Sequence, residues 1–138
     1  MKQRERKKLT RRLFHAIRAG DPAGARAVLR AGAHPEWTNG EGTTLLYTAA
    51  VQGEAEIVRL LLAAGASPDA ESEGIGAEGT PLCAAACWGH TEAVRVLLAH
   101  GADPDLREDH GTGWTPLQWA GNGPHPETAA LLTAAAGA

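Results

Sequence analysis

Apolar and polar positions along the chain follow the period of short amphipathic helices. In the segment 80–102, Leu82, Ala85 and Ala86 are spaced so that they share one helical face. The segment opens with a Thr-Pro pair, a typical helix start, and Gly89 is a typical helix end. A second apolar run follows and stops at the next glycine. The pattern therefore predicts two short helices joined by a tight turn.

This pattern occurs four times. The tracts begin at residues 11, 44, 80 and 115, and the first three close with the similar sequences GAHPE, GASPD and GADPD. A single helix pair cannot bury its own apolar stripe, so successive pairs must stack. We therefore predict an all-α solenoid of stacked helix-turn-helix units with finger-like loops. Leu61 and Leu97 should be buried between repeats, and the atypical first and last tracts should act as caps.

Composition supports close stacking and adds a charge asymmetry. Of the 138 residues 43% are apolar, yet there is only one Phe, one Tyr and one Met, so the core consists mainly of small side chains. Residues 1–12 hold seven cations and one anion, whereas the whole chain has a net charge of −3. A basic N-terminal arm, residues 1–8, thus precedes an acidic body.

The sequence also bears on location. No apolar run reaches 18 residues and none follows the charged N-terminus, so we expect neither a membrane span nor a secretory signal. Cys83 and Cys87 lie four residues apart on one predicted helix, where a disulfide fits poorly. They indicate free thiols in a reduced, cytoplasmic protein.

The tract TPLxxAAxxGHxEAVxxLLxxGADP, read from Thr80 to Pro104, resembles the ankyrin repeat. The resemblance covers residues 9–138 and implies repeats at about 9–38, 39–73, 74–108 and 109–138. One departure concerns the fourth motif position, which in this family is usually a His that links neighbouring repeats. We therefore expect the hydrogen bonds that link neighbouring repeats, here called the inter-repeat ladder, to be weaker. The fourth position holds other residues in this chain: Phe14, Tyr47, Cys83 and Gln118.

Catalytic and metal chemistry finds little support in the sequence. Cys83, Cys87 and His90 have a spacing that a metal could use, but no fourth zinc ligand is indicated. The adjacent pair Asp109 and His110 lacks an orienting third group. No phosphate-binding loop or nucleophile motif occurs. We predict a protein that is not an enzyme and that holds no cofactor or metal.

The family resemblance implies that partners bind along a concave face, formed by the loop fingers and the ends of the first helices. Three of the four tryptophans fall on or near this face in repeats 3 and 4. The alternative is that Trp119 packs under the cap and Trp114 fixes its own loop. Carried over position by position and extended by the adjoining loops, the predicted partner-binding residues are Trp88, Trp114, Trp119, Gln52, Glu41, Thr43, Glu71, Cys87, Arg107, His110 and Asn122.

Three functions compete. The first is a monomeric protein-binding adaptor, regulator or inhibitor, for which the acidic body suits a basic partner. The second is a small-molecule-binding or catalytic protein with a pocket lined by Trp and His in repeats 3 and 4. The third is nucleic-acid binding through the basic arm, against which the acidic body argues.

Overall fold

The computed structural model describes residues 2–137, which form a row of paired helices. The first helix of each pair contacts the first helix of the next pair, and the second helices do the same, so two layers run the length of the stack. A short irregular turn, α7, precedes the last pair. In chain order the helices are α1 Gln3–Arg18, α2 Pro22–Arg30, α3 Leu45–Val51, α4 Ala55–Ala63, α5 Pro81–Cys87, α6 Thr91–Ala99, α7 Glu108–Gly111, α8 Pro116–Asn122 and α9 Pro126–Ala136.

The helix boundaries follow from the capping residues that the sequence supplies. Thr44, Thr80 and Thr115 each accept a hydrogen bond at the side-chain oxygen from a backbone N–H in the first turn of the helix that follows. Gly89 has a φ of 69°, which lets α5 end in a left-handed turn. The predicted all-α solenoid is therefore confirmed. Within residues 2–137 the only β-pairing is two isolated bridges, in the loops that join one helix pair to the next. We call these loops the first, second and third fingers, residues 31–44, 64–80 and 100–115.

The core lies between the layers and between successive repeats. Leu61 and Leu97 are completely buried, as predicted. Alanines on the first helices, such as Ala49 and Ala85, are also inaccessible, and their small size lets neighbouring helices approach closely. No helix in the described part of the chain is both long and apolar enough to cross a bilayer.

Polar contacts link neighbouring repeats, and three of them come from positions other than the fourth of the motif. Gln52 Nε2 donates to the Ile17 carbonyl at 2.8 Å. His90 Nε2 is 3.1 Å from the carbonyl oxygen of Val51, and His125 Nε2 is 3.0 Å from that of the corresponding residue of the next repeat, Cys87. Each side chain thus reaches back to the end of the preceding first helix. Residues other than the fourth of the motif supply this ladder.

The ladder also explains two glycines. Gly53 and Gly89 have positive φ and lie directly against the imidazole rings of His90 and His125. A Cβ at Gly53 would lie 2.5 Å from His90 Nδ1, well inside van der Waals contact. Glycine is therefore required at these positions both by the backbone conformation and by the close approach of the ring.

The basic arm is part of the first helix. Residues 3–8 are exposed, yet they form the opening turns of α1, which continues without a break into the first repeat. The boundary placed at residue 8 therefore falls inside one helix. The backbone of the arm is therefore continuous with that of the first repeat.

Leu97→Ala should lower the free energy of unfolding by about 2–5 kcal/mol, because it removes most of a fully buried side chain between repeats. Urea unfolding followed by circular dichroism measures the change. Arg95→Ala, on the exposed face of the same helix, is the matched control and should change stability by no more than about 0.5 kcal/mol. A similarly small loss for Leu97→Ala would mean that the helix faces are assigned incorrectly.

Candidate partner-binding surface

Trp88 is the most exposed aromatic residue of the described chain. It follows the last residue of α5, and 63% of its surface is accessible. Beside it the first helices and the fingers enclose an open recess of about 140 Å³. We call this feature the tryptophan recess, and its lining residues are Tyr47, Glu78, Cys83, Ala84, Cys87, Trp88, Glu108 and Trp119.

Trp119 lines the recess, and Trp114 packs against it to form an aromatic pair. Their ring centroids are 4.7 Å apart and the rings are tilted by 53°. Trp119 is half-buried against the core, whereas 42% of Trp114 remains accessible. Trp119 therefore packs into the fold, as the alternative interpretation held. Trp114 covers it and keeps one surface exposed.

Glu108 connects these features. Its Oε1 accepts a hydrogen bond of 2.6 Å from Trp119 Nε1. Burial raises the pKa of this carboxyl group, and the negative charges of Asp109 and Glu71 raise it further, while the bond from Trp119 acts in the opposite direction. The carboxylate is thus held in a partly desolvated position at the wall of the recess.

The tryptophan recess is acidic, because the carboxyl groups of Glu78 and Glu108 are part of its lining. Burial is the main cause of the raised pKa of Tyr47, Cys83 and Cys87, and in each case the charge of Glu108 raises the pKa further. Glu78 has the same effect on Tyr47. The recess therefore favours a cationic group and disfavours an anionic one.

The two cysteines are free thiols in a non-nucleophilic setting. Burial raises the pKa of Cys83 to about 12, and its Sγ donates a weak hydrogen bond to the Trp114 carbonyl at 3.6 Å. Cys87 is half-buried. The Nε2 atom of His90 is within hydrogen-bond distance of the Val51 carbonyl oxygen of the preceding repeat. The three residues considered as metal ligands thus each have a structural environment of their own.

The finger that carries His110 has an unusual backbone. Asp109 and His110 have φ values of 53° and 55°, a left-handed conformation that is uncommon for residues other than glycine. Glu71 stabilises this turn, because its carboxylate accepts the backbone N–H of His110 at 2.8 Å and lies 3.5 Å from Nδ1 of the same ring. Arg107 donates to the Gly113 carbonyl at 3.2 Å. These predicted rim residues therefore order the finger itself.

A family model described as ankyrin repeats (three copies) matches the chain over residues 13–108 and 67–138. The chain belongs to the ankyrin repeat family. No curated protein matches it. Ankyrin repeats are in general protein–protein interaction modules, and proteins built from them are typically not enzymes.

In this ankyrin repeat protein the predicted site residues fall into separate groups. Trp88, Trp114, Trp119 and Cys87 come together around the tryptophan recess. Arg107 and His110 lie on the third finger, and Glu71 contacts His110 from the second. Asn122 is exposed at the end of α8. Glu41 is exposed on the first finger, far back along the chain from repeats 3 and 4.

Two of the predicted site residues, Thr43 and Gln52, make hydrogen bonds within the stack. Thr43 is buried, and its hydroxyl donates to the Glu73 carbonyl at 3.0 Å, linking the first finger to the second. Gln52 is exposed, but its amide is part of the ladder to Ile17. Both side chains are held by contacts within the stack.

Sequence reasoning missed the contribution of Tyr47, Glu78, Cys83 and Glu108 to the recess. One signal was available. Tyr47 and Cys83 occupy the fourth motif position, whose side chain was not needed for the inter-repeat ladder and is free to line the groove. The two glutamates lie on fingers, whose folding against the helices depends on contacts distant in sequence.

Thiol reagents should modify the two cysteines in two phases. Cys87 is half-buried and should react first, whereas Cys83 is buried and its pKa is about 12, so its thiolate is scarce at pH 8. Cys87→Ser should remove the fast phase and Cys83→Ser the slow one, as followed by the absorbance of the released chromophore. The assignment is incorrect if Cys83→Ser removes the fast phase.

Glu108→Gln should change how stability depends on pH. The pKa of Glu108 is raised in the folded state, so its contribution is fully present at low pH and is lost as pH rises from the ordinary value of 4.5 through the folded-state pKa. The amide oxygen of Gln still accepts the Trp119 N–H. We therefore expect wild type to lose stability relative to Glu108→Gln as pH increases from 4 to about 7.

Denaturant unfolding across this pH range tests the expectation. Glu127→Gln, on the exposed surface of α9, makes the same change in net charge and should not produce the same trend. A difference between wild type and Glu108→Gln that stays constant, or that grows in favour of wild type as pH rises, would contradict the raised pKa.

Proposed function

We propose that this ankyrin repeat protein is an adaptor or regulator that binds a basic protein segment at the tryptophan recess of repeats 3 and 4. The single observation that carries the proposal is Trp88, a large aromatic side chain exposed beside an acidic recess. Exposed tryptophans commonly serve as anchors in protein interfaces because they offer a large contact area at a low cost in conformational entropy.

Comparison between repeats supports a role for Trp88 outside the fold. The equivalent position in repeat 2 is Gln52, and repeat 2 stacks without an indole there. The neighbouring Trp114 contributes a second exposed aromatic surface, although its packing on Trp119 gives it a structural role as well. Replacement of Trp88 should therefore weaken binding while leaving the stability of the fold nearly unchanged.

Charge favours a cationic partner. Glu78 and Glu108 line the recess, and Glu71 and Asp109 lie on the two fingers beside it. A Lys or Arg side chain placed there would interact with the carboxylates and with the tryptophan rings. A partner that presents a cation next to an apolar residue fits this surface best.

The size of the recess argues for a macromolecular partner over a small molecule. Its volume of about 140 Å³ is well below the roughly 300–1,000 Å³ of common ligand pockets. Asp109 and His110, the pair considered for acid–base chemistry, are occupied in shaping the finger through Glu71. The protein-binding function therefore has the stronger support.

We also propose that the protein acts as a monomer in the cytoplasm. Its two cysteines are free thiols, which suits a reducing compartment. Apart from the tryptophans, the exposed large apolar side chains of residues 2–137 are Ile75, on a finger, and Leu117, on α8. They lie on different elements, and neither by itself offers a broad apolar face to a second copy.

The experiment selects random twelve-residue peptides against the immobilised protein and counter-selects them with Trp88→Gln. Recovered peptides should be enriched in Lys or Arg beside an apolar or aromatic residue. Trp88→Gln should weaken their affinity by about 2 kcal/mol, roughly thirtyfold, with little change in thermal stability. Isothermal titration calorimetry and thermal melting measure the two quantities.

Leu117→Ala is the matched control, because it removes an exposed apolar side chain away from the recess. Leu46 and Leu82, its equivalents, are covered by the following repeat, whereas Leu117 lies at the open end of the stack. It should leave peptide affinity unchanged. Peptides that bind Trp88→Gln as tightly as wild type, or that lack cationic residues, would overturn the proposal.

A further inference from the structure

A second groove lies at the opposite end of the stack and has the opposite charge. It has a volume of about 460 Å³, more than three times that of the tryptophan recess. One wall is a stripe of α1 at helical spacing, and the other is the first finger. We call it the basic groove, and its lining residues are Gln3, Arg6, Lys7, Thr10, Arg11, Phe14, Arg18, Thr38, Asn39 and Gly40.

The cations of this groove are available to a ligand. Arg6, Lys7, Arg11 and Arg18 make no ion pair with a carboxylate in the part of the chain that the structure describes. Four positive charges within one groove repel each other unless an anion lies between them. The arrangement therefore favours binding of a negatively charged group.

Two of the guanidinium groups are also held in place. The Cζ of Arg6 lies 5.0 Å from the ring centroid of Trp37, and that of Arg18 lies 5.2 Å from the ring centroid of Phe14. Stacking on an aromatic ring restrains the side chain and leaves the N–H groups along the guanidinium edge free for a carboxylate. A ligand would lose less side-chain entropy on binding to these arginines than to freely moving ones.

The finger adds a neutral donor and an open backbone. Asn39 Oδ1 accepts the backbone N–H groups of Glu41 and Thr43 at 2.9 and 3.0 Å. This fixes the orientation of the Asn39 amide and leaves its NH₂ as a donor in a residue that lines the groove. Gly40 has no heavy atom within 4 Å of where a Cβ would be, so a peptide can approach the finger closely.

The dimensions fit a short extended peptide. Arg6 and Arg18 are twelve residues apart on α1, which corresponds to about 18 Å along the helix axis. An extended chain covers about 3.3 Å per residue, so about six residues span the row of cations. The buried ring of Phe14 lies beneath Arg18 and supports that end of the row.

We propose that the basic groove binds an acidic peptide segment of about six residues, whose carboxylates pair with Arg6, Lys7, Arg11 and Arg18. Recognition of acidic motifs by clustered arginines uses charge-assisted and often bidentate hydrogen bonds. The site is independent of the tryptophan recess, and it assigns the basic arm a role in peptide recognition.

The surroundings favour a peptide over a nucleic acid. Beyond the groove the first two fingers carry Glu41 and Glu73, which lie against Gly74 and Gly42 respectively. A six-residue acidic segment needs only the four cations that line the groove, whereas a phosphate backbone that continued along the fingers would come near these carboxylates.

The test measures fluorescence anisotropy of a labelled hexaglutamate peptide with the full chain at low ionic strength. Binding should be saturable, and hexaglutamine should not bind. Arg11→Glu combined with Arg18→Glu should weaken binding at least tenfold. Arg4→Glu combined with Lys8→Glu makes the same change in net charge on the exposed surface of the same helix, outside the groove, and should weaken it less than threefold.

Circular dichroism and thermal melting check that each variant is folded. If the double charge reversal does not fold, Arg11→Gln combined with Arg18→Gln replaces it and should still weaken binding at least threefold. Trp88→Gln should bind hexaglutamate as wild type does, which separates this inference from the proposed function. A labelled twelve-nucleotide single strand and its duplex are titrated in parallel.

Three results would overturn the inference. Hexaglutamate that does not saturate would show that the groove is no peptide site. Equal losses of hexaglutamate affinity in the two double variants would show that net charge, and not the groove, determines binding. Binding of either nucleic acid more tightly than hexaglutamate, with the same dependence on Arg11 and Arg18, would assign the groove to nucleic acid.

Discussion

The structure depends on the stacking of helix pairs, none of which can bury its apolar face alone. The first helices are short, and alanines such as Ala49 and Ala85 are completely inaccessible between them. Their small side chains bring neighbouring repeats close enough for leucines such as Leu61 and Leu97 to fill the space between the layers. Every repeat uses the same packing. Residues that do not take part in this packing can therefore vary without loss of the fold.

That freedom explains how one stack carries two different grooves. The fourth motif position illustrates it, since Phe14 lines the basic groove, whereas Tyr47 and Cys83 line the tryptophan recess. Around these residues the fingers and helix faces supply cations at repeat 1 and carboxylates at repeats 3 and 4. A partner with charges of both signs would therefore bind in one orientation along the stack.

The helices were predictable because their signals are local. Thr80 caps α5 through an atom three residues away, and the burial of Leu97 follows from helical spacing. The site was only partly predictable, because it depends on contacts between distant segments. The burial of Thr43 requires the Glu73 carbonyl 30 residues later, and the recess requires Glu108 to meet Trp119 across a turn that contains two left-handed residues. Charge along α1 was visible, but the groove exists only once the first finger folds against it.

The hydrogen bonds of the inter-repeat ladder all run in one direction along the stack. This direction determines what the loss of a repeat would expose. Each ring or amide reaches back to a carbonyl of the repeat before it, as His90 does to Val51. Loss of a later repeat uncovers the leucine that it covered, such as Leu82, and leaves a backbone carbonyl without its partner. Loss of an earlier repeat uncovers apolar surface too, but it leaves a side chain such as the His90 ring without its acceptor. The two new ends therefore differ in the polar group that they expose, a carbonyl at the C-terminal end and a side-chain ring at the N-terminal end.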